Sequence, residues 1–293
     1  MSTTNTVSNS PKILQLLKPL VTNIQFYWFL GHVATVTFSV LHSLTSLFKA
    51  AYSPTPLRFY RWALVAIIFS YLIVLRQSYK NKKSLPFQLL VNRDFLLHDF
   101  LKNDNVQYLL FALSLLLFTT NANPNRGPIP LQGALYSFTI FSTFHALNYF
   151  NNNLNKSNAR LLDWIKNFQA QFSEKSHYIC ATAEAMILLQ MITIVPRTLI
   201  LLVFRWQVLN AAKHLIVVLS YVVFIKLRYE QNAVTKTVID GYVLKVDTLL
   251  SAPQLAVIPV QVKNFWFVTV KGLVRKYIGP IRLPQSKPGK KEM

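Results

Sequence analysis

Charged residues are spaced along this chain so that long apolar intervals lie between them. No Lys, Arg, Asp or Glu occurs between residues 19 and 48, and residues 26–48 form an apolar run with Tyr27 and Trp28 at one end. That run is long enough to cross roughly 30 Å of hydrocarbon as a helix, and the two rings sit where amphipathic aromatics favour the interface. Residues 62–75 are apolar between Arg61 and Arg76. A helix of that length reaches only about 21 Å. Either the span extends over residues 59–79 with both arginines reaching outward, or it forms a shallow hairpin with the first. Residues 106–120 and 129–150 flank the breaker-rich NANPNRGP and predict an antiparallel helical hairpin. Two weaker intervals follow: 178–203, with Glu184 and a Pro196-Arg197 break, and 206–225, with Lys213 and His214. They read as a third hairpin or as helices packed at the interface. The expected fold is all-α, a polytopic helical membrane protein of about four to six segments paired as hairpins.

From residue 226 the character changes, dividing the chain into a polar arm (1–18), a membrane domain (19–225) and a basic tail (226–293). Wound as a helix over residues 235–250, the tail puts Val238, Ile239, Tyr242, Val243, Val246, Leu249 and Leu250 on one face, with Lys236, Asp240 and Asp247 on the other. After Pro253 and Pro259, residues 260–278 place Val262, Trp266, Val270, Leu273 and Tyr277 in a stripe opposite Asn264, Lys271 and Arg275, with Lys263 and Val268 breaking the pattern. Its β-branched and aromatic content also suits a strand. The candidate membrane-binding residues are Val262, Lys263, Trp266, Val270, Lys271, Leu273, Arg275, Lys276 and Tyr277. A cationic helix with Trp on its apolar side suits the interface of an anionic leaflet; the alternative is packing on the protein's own helices.

Composition sharpens this picture. Of 293 residues, 52% are hydrophobic and 14% charged, against about 25% charged in soluble domains, so the solvent is partly lipid. The balance of 31 Lys+Arg to 10 Asp+Glu gives +21, which attracts either nucleic acid or the anionic cytoplasmic face of a membrane. In so apolar a chain the expected partner is the bilayer, and no nucleic acid is expected. With six segments and a cytoplasmic start, 24 basic residues fall on the cytoplasmic side, and Lys49, Arg58, Arg61, Arg126, Arg197 and Arg205 fall opposite. The positive-inside rule then puts both termini in the cytoplasm. The sequon Asn155-Lys156-Ser157 would lie there too and stay unglycosylated. The start MSTTNTVSNSPK lacks a signal-peptide pattern, and the lone Cys180 gives no support to an oxidising compartment. Lys290 and Lys291, third and fourth from the end, resemble a dilysine retrieval signal of the endoplasmic reticulum.

No enzyme constellation appears, and neither a cofactor nor a metal is expected. Asp94, Asp99 and Asp104 recur at five-residue steps, which spreads them around a helix and predicts a solvated connector. His32, His42 and His145 fall within apolar segments without metal-ligand spacing and read as packed polar residues between helices. Glu184 and Lys213 could pair across a hairpin. An intramembrane charge pair would suit a small transporter or channel. A third class is an adaptor whose basic tail binds an import receptor.

Five stretches, in order, carry a resemblance: FYRWAL at residues 59–64, SLPFQL at 84–89, NVQYLLFALSLLLF at 105–118, FHALNY at 144–149 and KLRYEQN at 226–232. Together they resemble the transmembrane protein 33 family, which includes fungal pore-membrane proteins of the nuclear envelope. The resemblance covers roughly residues 27–250. It implies a multi-spanning protein of the endoplasmic reticulum and nuclear envelope, acting in membrane shape alongside other membrane-shaping proteins and in nuclear-pore assembly or distribution. It brings no catalytic residues.

Overall fold

The computed structural model describes residues 21–80, 99–121, 123, 129–154, 159–252 and 258–281, and among these every regular element is helical. The polar arm, most of the basic loop before residue 99, the sequon at Asn155 and the dilysine pair lie outside the described residues.

Helix α1 (Ile24–Phe48) starts where the Asn23 side chain accepts the Gln25 N–H at 2.9 Å, satisfying one of the first-turn donors. Helix α2 (Pro54–Tyr79) opens on Pro54, whose missing N–H costs nothing in a first turn. Only residues 49–53 separate the two, so they pair antiparallel. Close approach is possible because Gly31 faces Ser70: a Cβ at Gly31 would lie 2.3 Å from the Ser70 Oγ. Helices α3 (Asp104–Phe118), capped by Asn103, and α4 (Gln132–Tyr149) follow; they were expected to pair as a hairpin, but they meet only through side chains such as Tyr108 and Phe138, 5.6 Å apart, while α3 lies against α2 and α6 and α4 against α1 and α5. Helix α5 (Ala159–Val203) and helix α6 (Val208–Gln231) form a second hairpin. Three helices, α1, α2 and α6, are long and apolar enough to cross a membrane; α3 is a shorter apolar helix.

Packing runs α1 on α2 and α4, α2 on α3, α3 on α6, and α5 on both α4 and α6. At the centre, Phe111 stacks on Phe224 at 4.5 Å, and Tyr60, Leu64, Leu115, Leu135, Phe138 and Ile187 are buried around them. One end of the bundle gathers the α1–α2 turn, the end of α3, the start of α4 and the α5–α6 turn. There Tyr60 and Thr119 share a hydrogen bond of 3.2 Å, and His42 Nδ1 donates to the Pro56 carbonyl at 2.9 Å. The other end holds the end of α2, the start of α3 and the end of α6.

Two further expectations are corrected. Pro196 does not break the chain: α5 runs through it for 45 residues, about 67 Å at 1.5 Å per residue. A proline inside a helix frees only the carbonyl four residues before it, and a membrane helix tolerates this where neighbouring groups can satisfy that one position. The break falls later, at the Phe204–Gln207 turn, where Trp206 adopts φ 51° and is 83% exposed. The second correction is at residue 226, where the tail was expected to begin. Helix α6 continues to Gln231, and Asn232 ends it while capping the next helix through the Thr235 N–H at 3.0 Å.

Helix α7 (Ala233–Ser251) packs on α5 and α6 through Thr235, Val238 and Leu250. Residues 260–278 form helix α8, a continuous run of α-helix (Val260–Asn264), π-helix (Phe265–Val270), α-helix (Lys271–Leu273) and π-helix (Val274–Ile278).

Candidate functional site

Two polar arrangements stand out. The first is inside the bundle. Glu184, on α5, is 1% exposed, and its partner is not Lys213. Tyr108 Oη on α3 donates to Glu184 Oε1 at 2.5 Å, and Arg228 Nε on α6 lies 3.7 Å from Glu184 Oε2. The same guanidinium donates through Nη1 to Asp104 Oδ2 at 2.8 Å and sits 5.1 Å over the Tyr108 ring. Tyr221 Oη on α6 donates to the Glu184 backbone carbonyl at 3.0 Å. The sequence placed Asp104 in a solvated connector; the structure makes it the first residue of α3 and the outer partner of Arg228. Glu184 and Lys213 could not meet because the antiparallel α5–α6 pairing sets Glu184 beside Tyr221, about two turns further along α6 than Lys213.

Physically this is a bolt between α3, α5 and α6. A buried carboxylate is tolerable only when paired and hydrogen-bonded; here the Tyr108 phenol hydrogen-bonds one oxygen, and the Arg228 guanidinium, 3.7 Å from the other, supplies the opposite charge without a hydrogen bond. A second tie lies one turn nearer the end, where Gln107 Nε2 donates to Gln231 Oε1 at 2.7 Å. The histidines occupy helix interfaces: His32 Nδ1 lies 3.0 Å from the Ser142 Oγ, joining α1 to α4, and the His32 and His145 rings are 5.0 Å apart beside Trp28. Among the described residues, no group of three or more His, Cys, Asp or Glu is placed to hold a metal ion.

The second arrangement is in the tail. Asp247, assigned by periodicity to the polar face of α7, is where α8 docks. Trp266 Nε1 donates to its Oδ1 at 2.7 Å, and Lys271 Nζ to its Oδ2 at 2.7 Å. Those two donors hold the Asp247 carboxyl below the usual carboxylate range, the Lys271 contribution being the larger. Trp266 and Lys271 lie roughly 140° apart on an α-helix of 3.6 residues per turn. The intervening π-helix bonds each N–H to the fifth preceding carbonyl and brings residues five apart towards one side. Sequence periodicity, which assumes α-helical pitch, placed Trp266 and Lys271 on opposite faces.

The other predicted tail residues divide accordingly. Val262, Leu273, Arg275, Lys276 and Tyr277 are exposed, while Lys263 and Val270 are half-buried. Phe265 and Val268, neither of them in the predicted set, are 61% and 69% exposed. The free face of α8 is thus apolar and basic together, and Trp266 faces α7.

Helices bolted by a buried ion pair, with apolar spans and a basic tail, define a polytopic helical membrane protein. The chain belongs to the transmembrane protein 33/nucleoporin POM33 family, whose model matches residues 8–277. It is 32% identical over 258 residues to the "pore and endoplasmic reticulum protein of 33 kDa" of Saccharomyces cerevisiae, covering 80% of this chain and 85% of that protein. It is 28% identical to "tetra-spanning protein 1" of Schizosaccharomyces pombe, covering 92% and 90%. It is 29% identical to "nucleoporin POM33" of Chaetomium thermophilum, covering 48% and 44%. No solved structure matches significantly.

Proposed function

We propose that this protein is a non-enzymatic organiser of the endoplasmic reticulum and nuclear-envelope membrane, contributing to membrane shape and to nuclear-pore assembly or distribution. In this reading both termini are cytoplasmic, and its partners are the anionic or curved bilayer and other membrane-shaping or pore membrane proteins. The names of its relatives, a pore and endoplasmic reticulum protein and a nucleoporin, support the location.

The observation that carries the mechanism is the free face of α8. Phe265, Val268, Leu273, Val274 and Tyr277 are exposed beside Lys263, Arg275 and Lys276. Such a face inserts its apolar residues into the headgroup boundary, and each basic residue adds about 1 kcal/mol near an anionic surface. Helix α7 and the outer half of α5 stand at the same end of the bundle, so cross-section is added on one side of the bilayer. A wedge of that form favours curved membrane.

Vesicle co-sedimentation of a peptide covering residues 260–278, followed by circular dichroism, tests the reading. Short helices are marginal in water, so helicity should rise on anionic vesicles and fall away with salt. Val268→Asp with Leu273→Asp should remove binding, and Lys271→Glu with Arg275→Glu should remove the preference for anionic lipid. In the full chain, either pair should disperse the protein from curved or pore-associated membrane while leaving insertion intact. A peptide that ignores vesicles would overturn the lipid reading in favour of a protein-docking tail.

A further inference from the structure

The end of the bundle opposite the Glu184–Arg228 pair is electrically one-sided. Its described residues include Lys49, Arg58, Arg61, Arg197 and Arg205, and the sequence has no Asp or Glu from residue 1 to 93, from 105 to 162, or from 185 to 229. Basic residues without local carboxylates leave an uncompensated positive field, which holds anions.

A groove of about 590 Å³ opens at this end between α2 and α3, lined by Pro54, Leu57, Arg58, Arg61, Trp62 and Leu116, with Val65 below. Its volume falls in the range of small-molecule sites, and its walls are sorted by chemistry. Arg58 and Arg61, three residues apart, lie on one face of the first turns of α2, where the helix dipole adds positive potential. Arg61 Nη2 donates to the Thr120 carbonyl, which fixes the guanidinium at the mouth while its other N–H groups remain for a ligand. Below that level the lining is hydrocarbon. Trp62 and Val65 are 52% and 42% exposed on the flank of a membrane-spanning helix, so the groove is open to lipid along its side.

We propose that this groove is a site for one anionic phospholipid. The phosphate sits between Arg58 and Arg61, and an acyl chain runs down past Trp62, Val65 and Leu116. The planar guanidinium forks match phosphate oxygens bidentately, and the absence of acidic residues nearby selects lipids of net negative charge over zwitterionic ones. The site is separate from the tail and lies at the other end of the bundle.

Native mass spectrometry of the full chain tests it, after exchange into micelles holding equal phosphatidylcholine and phosphatidylinositol. The expected result is one phosphatidylinositol retained through activation, with at least tenfold preference over phosphatidylcholine, and with the preference kept in the Lys271→Glu/Arg275→Glu tail variant. Arg58→Gln with Arg61→Gln should abolish the preference. Val65→Trp, which fills the groove and leaves both arginines, should abolish retention; circular dichroism checks that each variant is folded. Unchanged retention in both groove variants would overturn the site, as would equal retention of the two lipids. Displacement of the lipid by millimolar inorganic phosphate would show a free-phosphate site instead.

Discussion

Tyr108 donates its phenolic proton to Glu184 between α3 and α5 at 2.5 Å, and this contact holds the one buried carboxylate among the described residues in place. Arg228 completes the arrangement from α6, so α3, α5 and α6 share a single charge centre. Removing one partner of a buried pair leaves the other charge stranded, at about 3–5 kcal/mol. Arg228→Met should therefore lower the detergent-solubilised melting temperature steeply. Arg228→Met combined with Glu184→Leu should recover most of the loss. A transporter built on this pair would lose its activity in the double variant, whereas an organiser retaining its fold would still localise normally.

The Gly31–Ser70 crossing gives a second expectation. Gly31→Leu forces α1 and α2 apart where Gly31 meets Ser70, an overpacking cost of about 1–3 kcal/mol. Cysteine cross-linking between the two helices should slow, and melting should fall; Gly31→Ala should have a smaller effect in the same direction.

Docking of α8 on α7 depends on the ionised Asp247. Its carboxyl is depressed by Lys271 and then by Trp266, so its contribution is complete above the ordinary carboxylate pKa of about 3.9 and is lost as pH falls through the depressed value. Trypsin cleavage at Lys263, Arg275 and Lys276 should accordingly be flat between about pH 6 and 8 once corrected for the protease's own profile. Asp247→Asn should speed it several-fold at any of these pH values, and Trp266→Phe should do so to a lesser extent.

Glycosylation mapping checks the orientation. An acceptor engineered beside Arg126 should be modified, while Asn155 and an acceptor at the C-terminus should not. Modification of the C-terminus would reverse the assignment of the ends.

Much of this architecture is legible in the spacing of charges, because a lipid-facing helix excludes them and its length follows from bilayer thickness. The helices α1, α2, α3 and α4 are read that way, although α3 and α4, expected to pair, lie against α2 and α6 and against α1 and α5 instead. What the spacing does not reveal is pairing between distant residues. Arg228 lies 44 positions after Glu184 in a stretch that looks like the start of a polar tail, and only the antiparallel register of α5 and α6 brings the two together. The KLRYEQN stretch held a signal, since it puts Arg228 beside the apolar interval that ends at 225. The role of Asp247 was hidden for another reason: the π-helical turns of α8 change which residues share a side. Pro196 misled because its effect depends on its surroundings, and inside a bundle a helix can run through it.

The length of α5 has a mechanical meaning. From Glu184, where the helix is fixed to α3 and α6, to Ala159 is a proline-free stretch of about 38 Å at 1.5 Å per residue. That is longer than the hydrocarbon layer is thick. That stretch is held along its length as well: Phe144 on α4 stacks on Phe168 at 6.0 Å, Gln169 Nε2 donates to the Phe144 carbonyl at 3.3 Å, and α7 packs against α5. Helix α5 is therefore a strut, tying α7 and the start of the tail to the same body that holds Glu184.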